Sequence, residues 1–149
     1  MNLKKIFYFI IVIVFILCLF FLFKKNTVNN GIQYVKIAGQ TVKVDLALTP
    51  EAQAQGLSGR INLNEDAGML FIFNKPSRYS FWMKDMNFPI DMIWLDENFQ
   101  VVYIKKDAEP GSYPTTFTPS SDAKYVLEVQ ANFSEKNNLR EGDSARFLP

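Results

Sequence analysis

Hydrophobic and polar positions change character several times along the chain. Residues 6–23 (IFYFIIVIVFILCLFFLF) run 18 positions without a charge. As a helix they span roughly 27 Å, close to the thickness of a bilayer core. The spacing therefore predicts a transmembrane helix over about residues 6–23, within an anchor covering residues 1–25. Phe23, Lys24 and Lys25 follow with no small-residue cleavage site, which argues against a removed signal peptide. Cys18 is preceded by the bulky Phe15, Ile16 and Leu17, so lipid attachment there is not expected. Lys4 and Lys5 nearly balance Lys24 and Lys25, and the free amino terminus tips the segment toward N-terminus inside. The expectation is a single-pass anchor in the cell membrane with the rest of the chain extracytoplasmic. Residues 26–31 (NTVNNG) read as a polar linker, and residues 32–149 as the globular domain.

Beyond the linker the period falls to two. Residues 33–38 and 41–48, separated by Gly39-Gln40, predict a hairpin. In the second, Val42, Val44, Leu46 and Leu48 alternate with Thr41, Lys43, Asp45 and Ala47, the mark of a strand with one buried face. Thr49-Pro50-Glu51 supplies an N-cap, a first-turn proline and a first-turn acid for a brief helix that Gly56 ends. The apolar run 69–73 predicts a buried strand, and Asn74-Lys75-Pro76-Ser77 a turn. Strands are expected at 79–83, 90–95 and 99–105, the last two joined by the turn Asp96-Glu97-Asn98. Residues 107–124 read as a long loop rich in Pro, Ser and Thr, of a length that often carries function. A strand at 125–131, one or two helical turns at 133–139 and a final short strand at 145–148 complete the pattern. Seven or eight short strands with one or two short helices predict an all-β fold, a compact barrel or sandwich that hides its edges.

Composition removes several chemistries. The 149 residues include no histidine, and the single cysteine lies in the apolar segment. Imidazole-dependent catalysis, a disulfide in the domain and thiolate metal sites are all excluded. Residues 26–149 carry 12 basic and 15 acidic groups. A slightly acidic domain is not expected to bind nucleic acid.

Four pieces form a recognisable set: Gly56-Leu57-Ser58-Gly59-Arg60; Gly68-Met69-Leu70-Phe71-Ile72-Phe73; Ser80-Phe81-Trp82-Met83-Lys84-Asp85-Met86 running through Pro89-Ile90-Asp91-Met92 to Leu95-Asp96; and Tyr125-Val126-Leu127-Glu128-Val129 with Glu141-Gly142-Asp143 behind it. With them the chain resembles the family called domain of unknown function 192 over about residues 34–147. The resemblance implies a compact, mainly β single domain, often preceded by a signal or anchor, and no established activity. Many members carry a cysteine in the loop that here reads Glu109-Pro110-Gly111-Ser112-Tyr113-Pro114, so a role needing that thiol is not expected in this chain.

Candidate site residues follow from chemistry. Asp91 lies in a strand apolar on both faces and needs a partner if buried; Arg60 and Lys84 are the nearest cations in the motif set. Trp82, Lys84 and Asp85 combine an aromatic with two charges on a loop, a pattern suited to ligand binding. The expected site joins Arg60, Trp82, Lys84, Asp85 and Asp91. Arg60 and Lys84 would hold an anionic or polar ligand, Trp82 would stack, and Asp91 would orient a cation or hydroxyl. The structural alternative makes Asp91 an ion-pair anchor and the aromatics core. Met69, Met83, Met86 and Met92 lie near Trp82, and Met83 with Met86 forms the weak alternative of a soft Cu(I) site; core filling is the plainer reading. No cofactor is implied. Asp85, Asp91, Asp96, Glu109 and Glu128 could supply paired carboxyls for glycan hydrolysis, although the parity of Glu128 reads as a solvated strand face. The leading expectation is a non-catalytic ligand-binding domain at the cell envelope, the ligand being a small molecule, glycan or protein. A carboxylate-dependent envelope hydrolase, and an assembly module using the 107–124 loop, are the alternatives.

Overall fold

The computed structural model describes residues 31–149, which form one compact unit. The anchor expected at residues 1–25 and the linker expected at 26–31, all but Gly31, lie outside the described residues. Among the described residues no helix is long and apolar enough to cross a membrane.

Among the described residues nine strands and two short helices succeed one another: β1 (Tyr34–Ile37), β2 (Gln40–Ala47), α1 (Pro50–Gln55), β3 (Ala67–Ser77), β4 (Phe81–Trp82), β5 (Ile90–Leu95), β6 (Val101–Ala108), β7 (Thr116–Phe117), β8 (Ala123–Gln130), α2 (Phe133–Lys136) and β9 (Arg146–Leu148). A 3₁₀ turn, Pro110–Ser112, lies between β6 and β7. Seven strands make one sheet in the order β6-β5-β8-β3-β2-β1-β9, and β4 pairs with β7 alone. The large sheet curls into a half-barrel. Its ends are stitched where Gln100 bridges Ser144 and Ala145 N–H donates to the Phe99 carbonyl at 2.8 Å. The architecture is mainly β, as the strand pattern predicts.

The β1–β2 hairpin turns through Ala38 and Gly39, both at positive φ. In β2 the alternation holds from Thr41 to Leu46 and then breaks: Ala47 is buried beneath α1, and Leu48 is exposed. In α1, Thr49 Oγ1 accepts from Ala52 N–H, and Gly56 ends the helix at φ +51°, ψ −135°, a conformation that favours glycine.

Both faces of the sheet are covered. Leu70, Ile93, Leu127 and Val129 belong to the core inside the curl, with Val35, Val42 and Val44. Phe71, Met92, Trp94 and Val126 belong to a second core on the other face, with Leu57, Leu63 and Met83. This two-sided burial explains why every residue of β5 is inaccessible. Gly68 marks the tightest approach, for a Cβ there would lie 2.6 Å from the Glu128 carbonyl.

Three segments depart from the expected strand map. Residues 74–77 continue β3 rather than turning; a register slip after Ile72 absorbs Pro76, which cannot donate, before Ser77 pairs with Ala123. The strand expected at 79–83 shrinks to Phe81–Trp82 because its partner is the two-residue β7 and not the main sheet. The 107–124 loop is shortened at both ends by β6 and β8 and contains β7.

Candidate functional site

One row of side chains across the sheet explains the site. Asp45 of β2 is opposite Met69 of β3, Met69 is opposite Glu128 of β8, and Glu128 is opposite Met92 of β5. Opposed residues share a face, so Glu128 stands between two buried methionines. It is only 4% exposed, and its Oε2 has no hydrogen-bond partner among the described residues. Burial pushes its carboxyl up to about 8; Arg60 acts in the opposite direction and offsets only part of this. At neutral pH the group is therefore mostly protonated. The reading of Glu128 as a solvated strand face is corrected: α1 and the turn after it cover that face.

Glu128 lines a cleft of about 300 Å³. Its walls include Gln53, Gln55 and Ser58 on one side, and Phe73, Tyr79, Ser80, Phe81, Trp82 and Met86 on the other, with Phe71 and Gly56 close to the carboxyl. A Cβ on Gly56 would lie 3.3 Å from the Phe71 ring and 3.8 Å from Glu128 Oε2. Glycine thus keeps open the space beside the carboxyl.

The walls are held from below. Gln53 Nε2 donates to the Ile72 carbonyl at 2.9 Å and fastens α1 to β3. Trp94 is fully buried, and its Nε1 donates to the Tyr79 carbonyl at 2.9 Å, fixing the far wall. Phe73 stacks on Tyr79 at 3.6 Å between centroids, while Phe81 meets Phe71 edge to face at 4.8 Å. Trp82 is 52% exposed at the rim and stands edge to face with Tyr113 at 6.1 Å.

The expected site residues are distributed as follows. Trp82 and Met86 line the cleft. Lys84 and Asp85 are exposed on the turn after β4, and it is their carbonyls that bind: Lys84 O accepts from Ser58 Oγ at 2.7 Å, and Asp85 O from Gly59 N–H at 2.8 Å. Asn87 Nδ2 donates to the Arg60 carbonyl at 2.8 Å, so the Gly56–Arg60 piece and the Trp82–Asn87 piece are laced together. Arg60 pairs with Asp45 at 2.8 Å rather than with Asp91, and at 38% and 62% side-chain exposure the pair contributes little stability. Met83 is buried in the second core, and the half-buried Met86 packs against that same core while lining the cleft.

Among the described residues Asp91 has no cation partner, which corrects the ion pair expected with Arg60 or Lys84. Its Oδ1 accepts from Asp107 N–H at 2.9 Å and Asn132 N–H at 3.3 Å, and its Oδ2 from Ser134 N–H at 2.7 Å. A fully buried carboxyl thus ties the end of β6 to the start of α2. Among the residues lining the cleft Glu128 is the only carboxyl, whereas paired-carboxyl hydrolysis needs two facing groups. A second depression, about 250 Å³ between Gln40–Val42 and Gln130–Asn137, has surface polar walls, where Lys136 pairs with Glu65.

A half-barrel with an aromatic cleft over one buried carboxyl makes this a small mainly β domain. Residues 33–147 match the model of DUF192, described as an uncharacterized ACR, and the chain belongs to this family. It is similar to a crystallised protein of unknown function from Novosphingobium aromaticivorans, with 28% identity and a TM-score of 0.73 over 77% of this chain and 84% of that one. It is also similar to a Sinorhizobium meliloti protein to which a role as transcription regulator has been ascribed, at 28% identity and a TM-score of 0.72, over 76% of this chain and 92% of that one. No curated protein matches.

Proposed function

We propose that this chain is a membrane-anchored, extracytoplasmic binding domain that holds a small ligand in the cleft between α1 and the Tyr79–Met86 segment. The observation that carries this reading is the Glu128 carboxyl, buried at the cleft without a hydrogen-bond partner. A buried polar group without a partner costs stability. A ligand that satisfies it recovers that cost, which gives the cleft a purpose as a receptor. The aromatic walls suit an apolar body, and the amides and hydroxyls of Gln53, Gln55, Ser58 and Ser80 can orient it. The volume suits a small molecule. The apolar run 6–23 supplies the anchor in this reading, and the domain is held near the membrane surface.

Two measurements test it. A reporter active only outside the cytoplasm, fused after Pro149, should work, and a working cytoplasmic reporter would overturn the orientation. Thermal scans of the full chain in detergent against amines, sugars, amino acids and organic acids should find a class that raises the melting point. A ligand at 100 times its Kd adds about 2.7 kcal/mol. A class whose stabilisation disappears in Trp82→Ala supports the cleft; stabilisation that survives Trp82→Ala and Glu128→Gln alike would place the binding elsewhere.

A further inference from the structure

The lining of the cleft has a pronounced chemical bias. It holds one carboxyl, no lysine or arginine, and five aromatic rings, those of Phe71, Phe73, Tyr79, Phe81 and Trp82. Aromatic faces attract cations, and more strongly where water is excluded. A carboxylate beside them adds a direct ionic partner. Arg60 is the charged group closest to competing for Glu128, and it is engaged with Asp45 at 2.8 Å. An anionic ligand would find no cation among the lining residues.

Resting on the binding reading above, we propose that the cleft is a receptor for a small organic ammonium ion, with its charged head against the Glu128 carboxylate and its apolar body along Phe73, Phe81 and Trp82. The head group can belong to a free alkyl or aryl amine or to an amino sugar; both present the same ammonium.

The proposal has a proton-linked consequence. Without ligand, burial keeps the Glu128 proton on at neutral pH. An ammonium ion favours the carboxylate, so binding expels that proton into solvent while the ligand keeps its own. Affinity should then rise about tenfold per pH unit while the free carboxyl is protonated, and level off near pH 8. The groups around Glu128 leave this dependence to Glu128. Met69 and Met92 on the flanking strands do not titrate, and α1 and its turn present Gln53, Gln55, Ser58 and the paired Arg60. Across the cleft, Lys84 and Asp85 are exposed on the outer turn. The Tyr79 phenol donates to the Lys75 carbonyl and is held above its usual range by burial, with the charge of Asp122 adding to this.

The test is calorimetric titration of the full chain in a zwitterionic detergent, in two buffers of different ionisation enthalpy. The probes are phenethylammonium, cyclohexylammonium and glucosamine, with 2-phenylethanol and N-acetylglucosamine as uncharged counterparts. Glu128→Gln, run in parallel, removes the charge at nearly constant shape and subtracts uptake by the micelle; a cooperative melt confirms its fold. The expected result is an ammonium probe that binds with release of about one proton, favoured at least tenfold over its uncharged counterpart, and weakened at least tenfold by Glu128→Gln. Binding of phenethylammonium without glucosamine assigns the site to free amines, and the reverse assigns it to amino sugars. Uncharged probes that bind as tightly as the ammonium ions, with Glu128→Gln unchanged, would overturn the ammonium assignment yet leave the small-ligand reading standing. Failure of every ammonium probe would overturn the assignment too, and the broader thermal screen then decides the small-ligand reading separately.

Discussion

Replacing Glu128 by Gln should stabilise this protein at neutral and alkaline pH, an unusual outcome for a change at a buried site. The carboxyl sits between Met69 and Met92 with Oε2 unpartnered, and burial raises it from 4.5 to about 8. The folded state therefore holds this proton more tightly than the unfolded chain does. Its contribution to stability is greatest below pH 4.5, falls as the pH climbs through 8, and is constant above. At about 1.4 kcal/mol per pH unit, the loss is about 3 kcal/mol at pH 7 and about 5 kcal/mol when ionisation is complete. Relaxation of the fold around the charge makes these upper bounds. Glutamine keeps the shape and never ionises. Glu128→Gln should thus match the parent near pH 4, exceed it increasingly between about pH 4.5 and 8, and keep a constant advantage above that. Each kcal/mol moves the melting point of a domain of this size by about 3–5 °C, so the variant should melt roughly 10 °C higher at pH 7. Differential scanning calorimetry of both proteins from pH 4 to 9 reads the effect. A variant that melts with or below the parent at pH 8, or a difference that does not grow with pH, would refute the reasoning.

The remaining predictions concern the frame and the rim. Asp91→Ala removes the acceptor of three backbone N–H groups at the junction of β6 and α2 and should cost about 3–5 kcal/mol, read by denaturant unfolding. Gly68→Ala drives a methyl to within 2.6 Å of the Glu128 carbonyl and should cost about 1–3 kcal/mol through displacement of β3 from β8, again read by unfolding. Trp82→Ala changes a half-exposed rim residue, so stability should hold within about 0.5 kcal/mol while ligand affinity falls several-fold, read by titration beside a melt. Gly56→Ala should narrow the space beside Glu128 Oε2 and strain the helix end, lowering both affinity and melting point.

Legibility in the sequence followed the range of the forces involved. The first strands, the capped helix and the β5–β6 hairpin rest on neighbours a few residues apart, and alternation, Thr49-Pro50 and Asp96-Glu97-Asn98 announce them. The continuation of β3 through Pro76 was hidden because its pairing with Ala123 is remote and crosses a register slip. Asp91 was legible as a buried carboxyl needing a partner, but not the identity of that partner, because its donors are backbone groups at 107, 132 and 134 that only the fold brings together. Glu128 misled for a related reason. A single polar residue in an alternating strand looks solvated unless its cover is known, and the cover comes from residues 53–58. The available signal was Val126 on the same parity, in a strand whose fold partners are themselves apolar. Trp82, singled out by its surroundings, lines the cleft; of Lys84 and Asp85, singled out with it, the backbone carbonyls bond to Ser58 and Gly59.

The most direct measurement is carbon-13 detection of the Glu128 side-chain carboxyl across a pH titration, assigned by its loss in Glu128→Gln. The account predicts a titration near pH 8, moving to lower pH when phenethylammonium is added. A carboxyl that titrates near 4.5 and ignores every ligand would contradict both the buried, unpartnered state of Glu128 and the function drawn from it.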